Sequence, residues 1–277
     1  MAGSTAQERT VGLDTAEARR WRSLAVAVLA IVALLGGGQA WFLLGEQESR
    51  SAPTRYPASV TSVELDLQDA SASVRGNQAG ELTVVEQSVW LLNRPQVQQT
   101  VVGHTLRISA HCPRVMGIAA PGCSATLELR VPSATAVTLR TTSGQAAISD
   151  LTGNLSLRGT SGRIALDNDS GRIAAHLTSG QLVGRYLGAT VVQAAATSGS
   201  LDLEFAATPD EVTLSTTSGE ARVAVPPNSH YRVLSTLGSG SSDIDPALMD
   251  PRSPHAITMT AGSGYLTAGF LAPGGNG

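Results

Sequence analysis

Two consecutive stretches decide the fold: Leu155-Ser-Leu-Arg-Gly-Thr-Ser-Gly-Arg-Ile-Ala-Leu-Asp167 and Ile173-Ala-Ala-His-Leu-Thr-Ser-Gly-Gln-Leu-Val-Gly-Arg185. The same pattern continues on both sides of this pair, in seven copies whose Ser-Gly glycines are 18, 18, 19, 20, 21 and 24 residues apart. These glycines are Gly144, Gly162, Gly180, Gly199, Gly219, Gly240 and Gly264. Self-similarity at this period is typical of solenoid proteins, in which each copy builds one supersecondary unit.

Apolar and polar residues alternate on both sides of each Ser-Gly. Seven residues before the glycine, the copies carry Val137, Leu155, Ile173, Val192, Val212, Val233 and Ile257. Two residues after it, they carry Ala146, Ile164, Leu182, Leu201, Ala221, Ser242 and Leu266. A period of two indicates strands with one buried face. Each copy is therefore predicted to be a strand, a Ser-Gly corner, a second strand and a second corner.

Two all-β folds fit this pattern. In a parallel β-solenoid, like residues of successive copies stack about 4.8 Å apart, and identical residues one period apart gain from that stacking. In an antiparallel meander or sandwich, each Ser-Gly is a hairpin turn, and paired residues need not be of the same type. The sequence favours the parallel solenoid, with about seven regular rungs.

The N-terminal region contains a candidate membrane segment. Leu24 to Leu44 is largely apolar and, at 1.5 Å per residue, is long enough for a hydrocarbon core of about 30 Å. Arginines precede this stretch and glutamates follow it, which by the positive-inside rule predicts a cytoplasmic N-terminus. The predicted organisation is a cytoplasmic tail (1–22), a transmembrane signal anchor (23–44), a linker (45–57), a β-solenoid ectodomain (58–270) and a disordered tail (271–277).

The rival interpretation of this segment is a cleaved signal peptide with Gly38-Gln39-Ala40 as its small-residue site. The apolar run continues past that site through Trp41-Phe42-Leu43-Leu44, which favours the anchor.

The chain has only two cysteines, Cys112 and Cys123, and both fall in the predicted exterior part. An even count in an oxidising compartment predicts one disulfide across the intervening loop. A metal site at this loop is less favoured, because only His104 and His111 lie nearby.

Composition excludes several function classes. The net charge of −3 leaves no strong footprint for nucleic acid. The five histidines lack metal-ligand spacing, and no cofactor motif is present. The candidate carboxylates do not share one register, so no stacked acid pair points to a carbohydrate-active enzyme: Asp150, Asp167, Asp169, Asp202, Asp243 and Asp245. We therefore expect a protein that is not an enzyme.

One set of equivalent outward-facing positions in the repeat carries basic residues. Arg140, Arg158 and His176 each stand four residues before a Ser-Gly glycine, and Arg163 is close to them in sequence. In a solenoid these residues would form a basic stripe that could contact an anionic envelope polymer or lipid headgroup. The alternative interpretation is an ordinary solvated face.

The run Cys-Ser-Ala-Thr-Leu-Glu-Leu-Arg-Val-Pro (Cys123–Pro132), the serial Ser-Gly corners and Val223-Ala224-Val225-Pro226 resemble the DUF4097 family of adhesin-like proteins. The resemblance covers about residues 58–270. It implies a β-helical domain of a bacterial exported or membrane-anchored protein, with no catalytic residues. Many members have acidic residues directly after the corners, whereas here only Glu220 fits.

These observations lead to a non-enzymatic, membrane-anchored extracytoplasmic module for adhesion or envelope interaction, with an envelope polymer or surface protein as partner. The alternative is an envelope sensor that signals through the cytoplasmic tail. Deleting residues 2–18 separates the two, because an adhesin should tolerate the deletion and a signalling protein should not.

Overall fold

A computed structural model describes residues 26–32, 47–115 and 118–271. Of the predicted anchor, residues 26–32 are helical, and the remaining residues of 23–44 lie outside the described parts, as do the tail 1–22 and residues 272–277. Among the described residues, no helix combines the length and apolar character needed to cross a bilayer.

The chain from Gln47 onward is a β unit. The strands before the first Ser-Gly corner are β1 (Gln47–Arg50), β2 (Thr54–Tyr56), β3 (Ser62–Gln68), β4 (Ser71–Asn77), β5 (Leu82–Trp90), β6 (Gln96–Val102), β7 (Thr105–His111), β8 (Arg114–Val115), β9 (Ile118–Ala119), β10 (Ser124–Pro132) and β11 (Ala136–Thr141). Those after it are β12 (Gln145–Ser149), β13 (Leu155–Asp167), β14 (Ile173–Leu187), β15 (Val191–Phe205), β16 (Glu211–Val225), β17 (Arg232–Ile244) and β18 (Ala256–Phe270).

The Ser-Gly copies pair in parallel, and the hairpin alternative is wrong for them. Strands β13 to β18 each run through their Ser-Gly corner, so that the two halves of a strand contribute to two faces. Like residues lie side by side: Leu155 pairs with Ile173, Gly162 with Gly180 and Ile164 with Leu182. The apolar ladders predicted from the repeat therefore exist in register.

The last two copies exchange places. Strand β16 pairs with β18, and β17 lies beyond β18 at the end of the sheet. The connection between β17 and β18 contains a 3-10 turn at Pro246–Leu248, whose first turn is capped by the Asp245 carboxylate accepting from the Ala247 N–H. Leu248 of this turn and Tyr231, which directly precedes β17, are both fully buried. Nothing in the repeat spacing indicates this exchange.

The ladder also extends beyond the Ser-Gly copies on its N-terminal side. Strands β3 and β4 pair in parallel with β11 and β12, and β7 and β10 pair in parallel with β3 and β4. Antiparallel strands complete this end: β6 on β7, and β5 on β10, with β1 and β2 on β5. The consecutive strands β3 and β4 form one bent pair, and β7 and β10 form another. Neither pair has a Ser-Gly at its bend, so the repeat pattern in the sequence does not reveal them.

One boundary prediction needs correction. The predicted linker 45–57 contains β1 and β2, whose backbones hydrogen-bond to β5, so the β unit begins at Gln47 rather than near residue 58. Strands β6 and β7 form a hairpin that turns at Gly103, where φ is +60°.

The disulfide between Cys112 and Cys123 is present, with a Cα–Cα distance of 5.9 Å. It joins the residue after β7 to the residue before β10, and these two strands belong to the two faces of one bent pair. The disulfide thus connects β7 and β10 at the position where β3 and β4, or β11 and β12, are joined by a short turn. The loop it closes contains the short hairpin of β8 and β9.

The core lies between the two faces of the bent ladder. Its members are stacked rows of Leu, Ile, Val and Ala from the alternating positions on both sides of the corners. Leu139, Leu157 and Leu214 are fully buried before the corner, and Leu182 and Leu201 are fully buried after it. Fully burying one such side chain contributes about 1.5–3 kcal/mol.

The Ser-Gly glycines stack backbone on backbone. A Cβ at Gly162 would overlap the carbonyl oxygen of Gly144, and a Cβ at Gly219 would overlap that of Gly199. Gly162 also has φ of +133°, which L side chains rarely adopt. The repeat therefore requires glycine at this corner because the backbone of the preceding copy lies too close for any side chain.

We expect Gly162→Ala to lower the free energy of unfolding by about 3 kcal/mol or more, since backbone atoms cannot move aside as a flexible side chain can. The matched control is Gly103→Ala, where φ is also positive but no atom lies within 4 Å of the added methyl. It should cost only about 1–2 kcal/mol. Urea unfolding followed by circular dichroism measures both, and equal losses would contradict the steric explanation.

Candidate functional site

A groove of about 1000 Å³ runs along the ladder beside the Ser-Gly corners. It forms because each long strand bends just before its Ser-Gly, and the side chains on either side of the bend project as two walls. Since the strands are parallel and in register, each wall is a row of equivalent positions from successive strands.

The first wall comes from the residues four before each glycine. Asp66 of β3 pairs with Arg140, Arg140 with Arg158, and Arg158 with His176. Beyond His176 the row continues with small side chains: Ala195, Ser215 and Thr260. The groove is therefore charged towards its N-terminal end and neutral towards its C-terminal end.

The second wall is a row of threonines, two residues before each glycine. It consists of Thr142, Thr160, Thr178, Thr197 and Thr217, and ends at Gly262. All five threonines are exposed. Their hydroxyls can each donate and accept a hydrogen bond, and they repeat about every 4.8 Å along the groove.

The floor between these walls comes from the residues three before each glycine, which are buried except for the half-buried Gly159. Thr141 and Thr216 contribute to this floor, and their hydroxyl oxygens are buried and have no hydrogen-bond partner among the described residues. Most buried polar groups in proteins are hydrogen-bonded, and exceptions call for an explanation. Both oxygens have almost no accessible surface, so they are not exposed to a ligand in the groove.

Arg140 and Arg158 are exposed, and neither forms an ion pair within the parts of the chain that the structure describes. Adjacent positions in the ladder lie about 4.8 Å apart, so the two guanidinium groups repel each other modestly and favour an anion between them. Asp66 at the end of the row limits the basic stretch to Arg140, Arg158 and His176.

Arg163, which we expected beside this row, does not line the groove. It directly follows the Ser161-Gly162 corner, and its neighbours in the ladder are Gln145 and Gln181. The turn of the backbone at the corner moves it off the face that carries Arg158. Sequence proximity was misleading here because the corner lies between the two arginines.

The threonine row and Asp66 were not predicted from the sequence as parts of one site. The constant position of the threonines, two residues before each glycine, is the signal in the sequence that places them on one line. Asp66 belongs to a strand pair without Ser-Gly, so no register in the sequence connected it to Arg140.

The candidate carboxylates lie outside the groove. Asp202 faces Arg222 at 3.9 Å, and Asp150 accepts a hydrogen bond from Asn168. Among the described residues, no group of three or more His, Cys, Asp or Glu side chains is placed to hold a metal ion.

Asp169 is the exception among these carboxylates because it is buried in the core. One of its oxygens accepts from the Leu151 N–H at 2.8 Å, and the other has no partner among the described residues. Desolvation raises its pKa from 3.8 to about 6, and backbone hydrogen bonds from Leu151 and Asp167 only partly offset the rise.

This raised pKa predicts how stability depends on pH. Between about pH 4 and 6 the folded chain keeps the Asp169 proton that the unfolded chain releases, so the free energy of unfolding should fall as pH rises through this window. The total loss is on the order of 3 kcal/mol. Asp169→Asn should remove this fall and be more stable than the parent at pH 8.

The free energy of unfolding of Asp169→Asn and of the parent chain is measured by urea unfolding at pH 4 and pH 8. Asp66→Asn, which replaces an exposed carboxylate, serves as the matched control and should keep the parent's pH dependence. If Asp169→Asn retained the same fall between the two pH values, the assignment to Asp169 would be wrong.

The bent parallel ladder with its lengthwise groove defines a β-solenoid protein. The chain belongs to the Toastrack DUF4097 family, whose sequence profile matches residues 122–268, more than half of its length. The match begins just before Cys123 and ends within β18, so it includes every Ser-Gly copy. No characterised protein sequence matches the chain.

Several solved structures are similar at low sequence identity. A candidate cell adhesion protein from Clostridium sporogenes is 12% identical with a TM-score of 0.38, covering 81% of this chain and 100% of its own. A candidate adhesin from Parabacteroides distasonis is 10% identical with a TM-score of 0.37, covering 82% and 97%. A candidate lipid-binding protein from the same species is 10% identical with a TM-score of 0.33, covering 82% and 97%.

Proposed function

We propose that this chain is a membrane-anchored, extracytoplasmic binding module whose groove takes an extended anionic polymer of the cell envelope. The observation that carries the proposal is the alignment of Arg140, Arg158 and His176 with the threonine row along one groove. A site built from repeated side chains fits a ligand that is itself linear and repetitive.

The chemistry of the walls supports a polyanion with hydroxyl or ether groups. Guanidinium groups form charge-assisted hydrogen bonds with carboxylates and phosphates. The threonine hydroxyls can bond neutral oxygens along the same polymer. The small side chains beyond His176 leave room for the uncharged part of the chain to lie close to the floor.

The groove supports binding rather than cleavage of such a polymer. Glycoside hydrolysis commonly needs two carboxyl groups about 5–9.5 Å apart across the scissile bond. Of the described residues lining the groove, Asp66 is the only carboxylate, and it lies in register with Arg140 rather than with another acid. We therefore infer a non-enzymatic, adhesin-like or scaffolding role.

The anchor is proposed from the sequence. The apolar stretch 23–44 and its flanking charges support a single span with the β unit outside the cytoplasm, where a disulfide between Cys112 and Cys123 would persist. That location would expose the groove to envelope polymers.

Replacing Arg140 and Arg158 together by Gln should weaken binding to immobilised polygalacturonate, a linear carboxylated polysaccharide, by at least about tenfold at low salt. Binding of the parent chain should also fall as salt is raised. The full-length protein in detergent is measured by surface plasmon resonance.

The matched control replaces Arg163 and Arg172 by Gln, which changes the net charge equally but leaves the groove intact. It should bind within about twofold of the parent. If both double variants lost affinity equally, binding would depend on net charge and not on the groove.

Topology can be tested by cysteine labelling, because the native cysteines are both in the disulfide and leave no thiol background. With a membrane-impermeant maleimide on intact cells, Thr190→Cys in the exposed loop before β15 should be labelled. Thr5→Cys in the tail should be labelled only after permeabilisation. The reverse pattern would contradict the orientation, and release of the β unit into the medium would indicate a cleaved signal peptide.

A further inference from the structure

Strand β17 ends the ladder with one edge unpaired among the described residues. It bonds along its length to β18, and no other described strand pairs with it. Most of its residues are exposed, and Leu234 is 61% exposed. Natural edge strands are usually short, charged, interrupted by proline or covered. Strand β17 has 13 residues and contains neither lysine nor proline.

The inward positions of β17 are only half covered. Val233, Leu237 and Ile244 pair with buried residues of β18 but are themselves partly exposed, because no further strand closes the core above them. The same inward rows contain Ser235 and Ser242, where β18 has the buried Met259 and Leu266. The end of the core thus offers apolar groups next to hydroxyls.

These positions are self-complementary. The strand bends at its middle, so that a two-fold axis through the bend would place each arm against the other arm of a second copy, running antiparallel. Val233 then faces Ile244 of the second copy, and Ser235 faces Ser242. Apolar groups meet apolar groups and hydroxyls meet hydroxyls, which are favourable cross-strand pairs.

The charges follow the same symmetry. In this register Arg232 faces Asp245 of the second copy, with Asp243 on the diagonal, and the two-fold axis repeats the contact at the other end. No like charges face each other in β17, because Arg232 is its only basic residue and Asp243 its only acidic one.

We propose that two copies of this chain pair end to end through β17. Such a contact is isologous: the same edge is used by both copies, so pairing covers both free edges and stops at a dimer. The opposite end of the ladder is finished by antiparallel strands, and the strands described there present no equivalent parallel edge.

The position of this edge has a consequence that rests on the proposed anchoring. In the sheet order, β1, where the β unit begins, and β17 lie at opposite ends, about 48 Å apart at about 4.8 Å per strand. Pairing through β17 therefore directs the two N-terminal ends away from each other. This arrangement fits contact between molecules on two facing surfaces.

The test uses cysteines at opposed outward positions. Thr236 and Ser241 are exposed and would face each other across the two-fold axis. Thr236→Cys and Ser241→Cys are made in differently tagged full-length chains, purified in detergent and oxidised with copper phenanthroline. The mixture should give a cross-linked hetero-dimer, whereas each variant alone should give at least about tenfold less dimer. Equal cross-linking in the mixture and in the single variants, or none in any, would overturn the proposal.

A second variant tests the register without cysteines. Arg232→Glu would place like charges at both ends of the contact and should weaken dimerisation at least tenfold in sedimentation velocity. Arg172→Glu, at an exposed position of another corner, is the matched control and should leave it unchanged. If Arg232→Glu formed the dimer as well as the parent chain does, the proposed pairing would be overturned.

Mixing two cell populations, one expressing each cysteine variant, separates this inference from the anchoring. Cross-linking between populations supports contact across facing surfaces. If the purified chains cross-link and the mixed cells do not, pairing through β17 stands and its use between anchored molecules is wrong.

Discussion

The structure depends on the close stacking of backbone at the Ser-Gly corners. At Gly162 the carbonyl oxygen of Gly144 occupies the space of a Cβ, and the same contact recurs up the ladder at Gly219 and Gly264. Glycine is thus required for a steric reason as well as for its backbone angles. This spacing holds successive strands in one register, so that every other position, buried or exposed, becomes a row.

Rows explain why core and groove arise together. The residues that alternate inward fill a narrow core with Leu, Ile, Val and Ala, and those that alternate outward at the bend become the walls of a groove. A single substitution in one copy changes one side chain of a row and leaves the equivalent side chains of the other copies unchanged. The charged part of the groove, from Arg140 to His176, is therefore a local variation on a neutral scaffold. Binding specificity can change along such a ladder while its corners stay constant.

Both ends of the ladder break the sequential order. The pair of β3 and β4 is covered on one side by β7 and β10, and β18 lies inside β17. At the N-terminal end, antiparallel strands and the Cys112–Cys123 bond finish the sheet, whereas β17 leaves an edge with serines in its inward rows. A solenoid has an edge problem at each end: here antiparallel strands close the N-terminal end, whereas β17 is an open edge among the described residues.

The sequence by itself determined the repeat, its corner, its inward rows and the placement of Arg140, Arg158 and His176 in one register, because these follow from spacing alone. It also indicated the disulfide, because the chain has two cysteines and both lie in the part predicted to be outside the cytoplasm. Only the tertiary structure separated Arg163 from that register, joined Asp66 to it, placed β1 and β2 in the sheet and exchanged β17 with β18. These features depend on contacts between segments that carry no common motif. Periodicity describes how a copy meets its neighbour, and it cannot specify which segment closes an end.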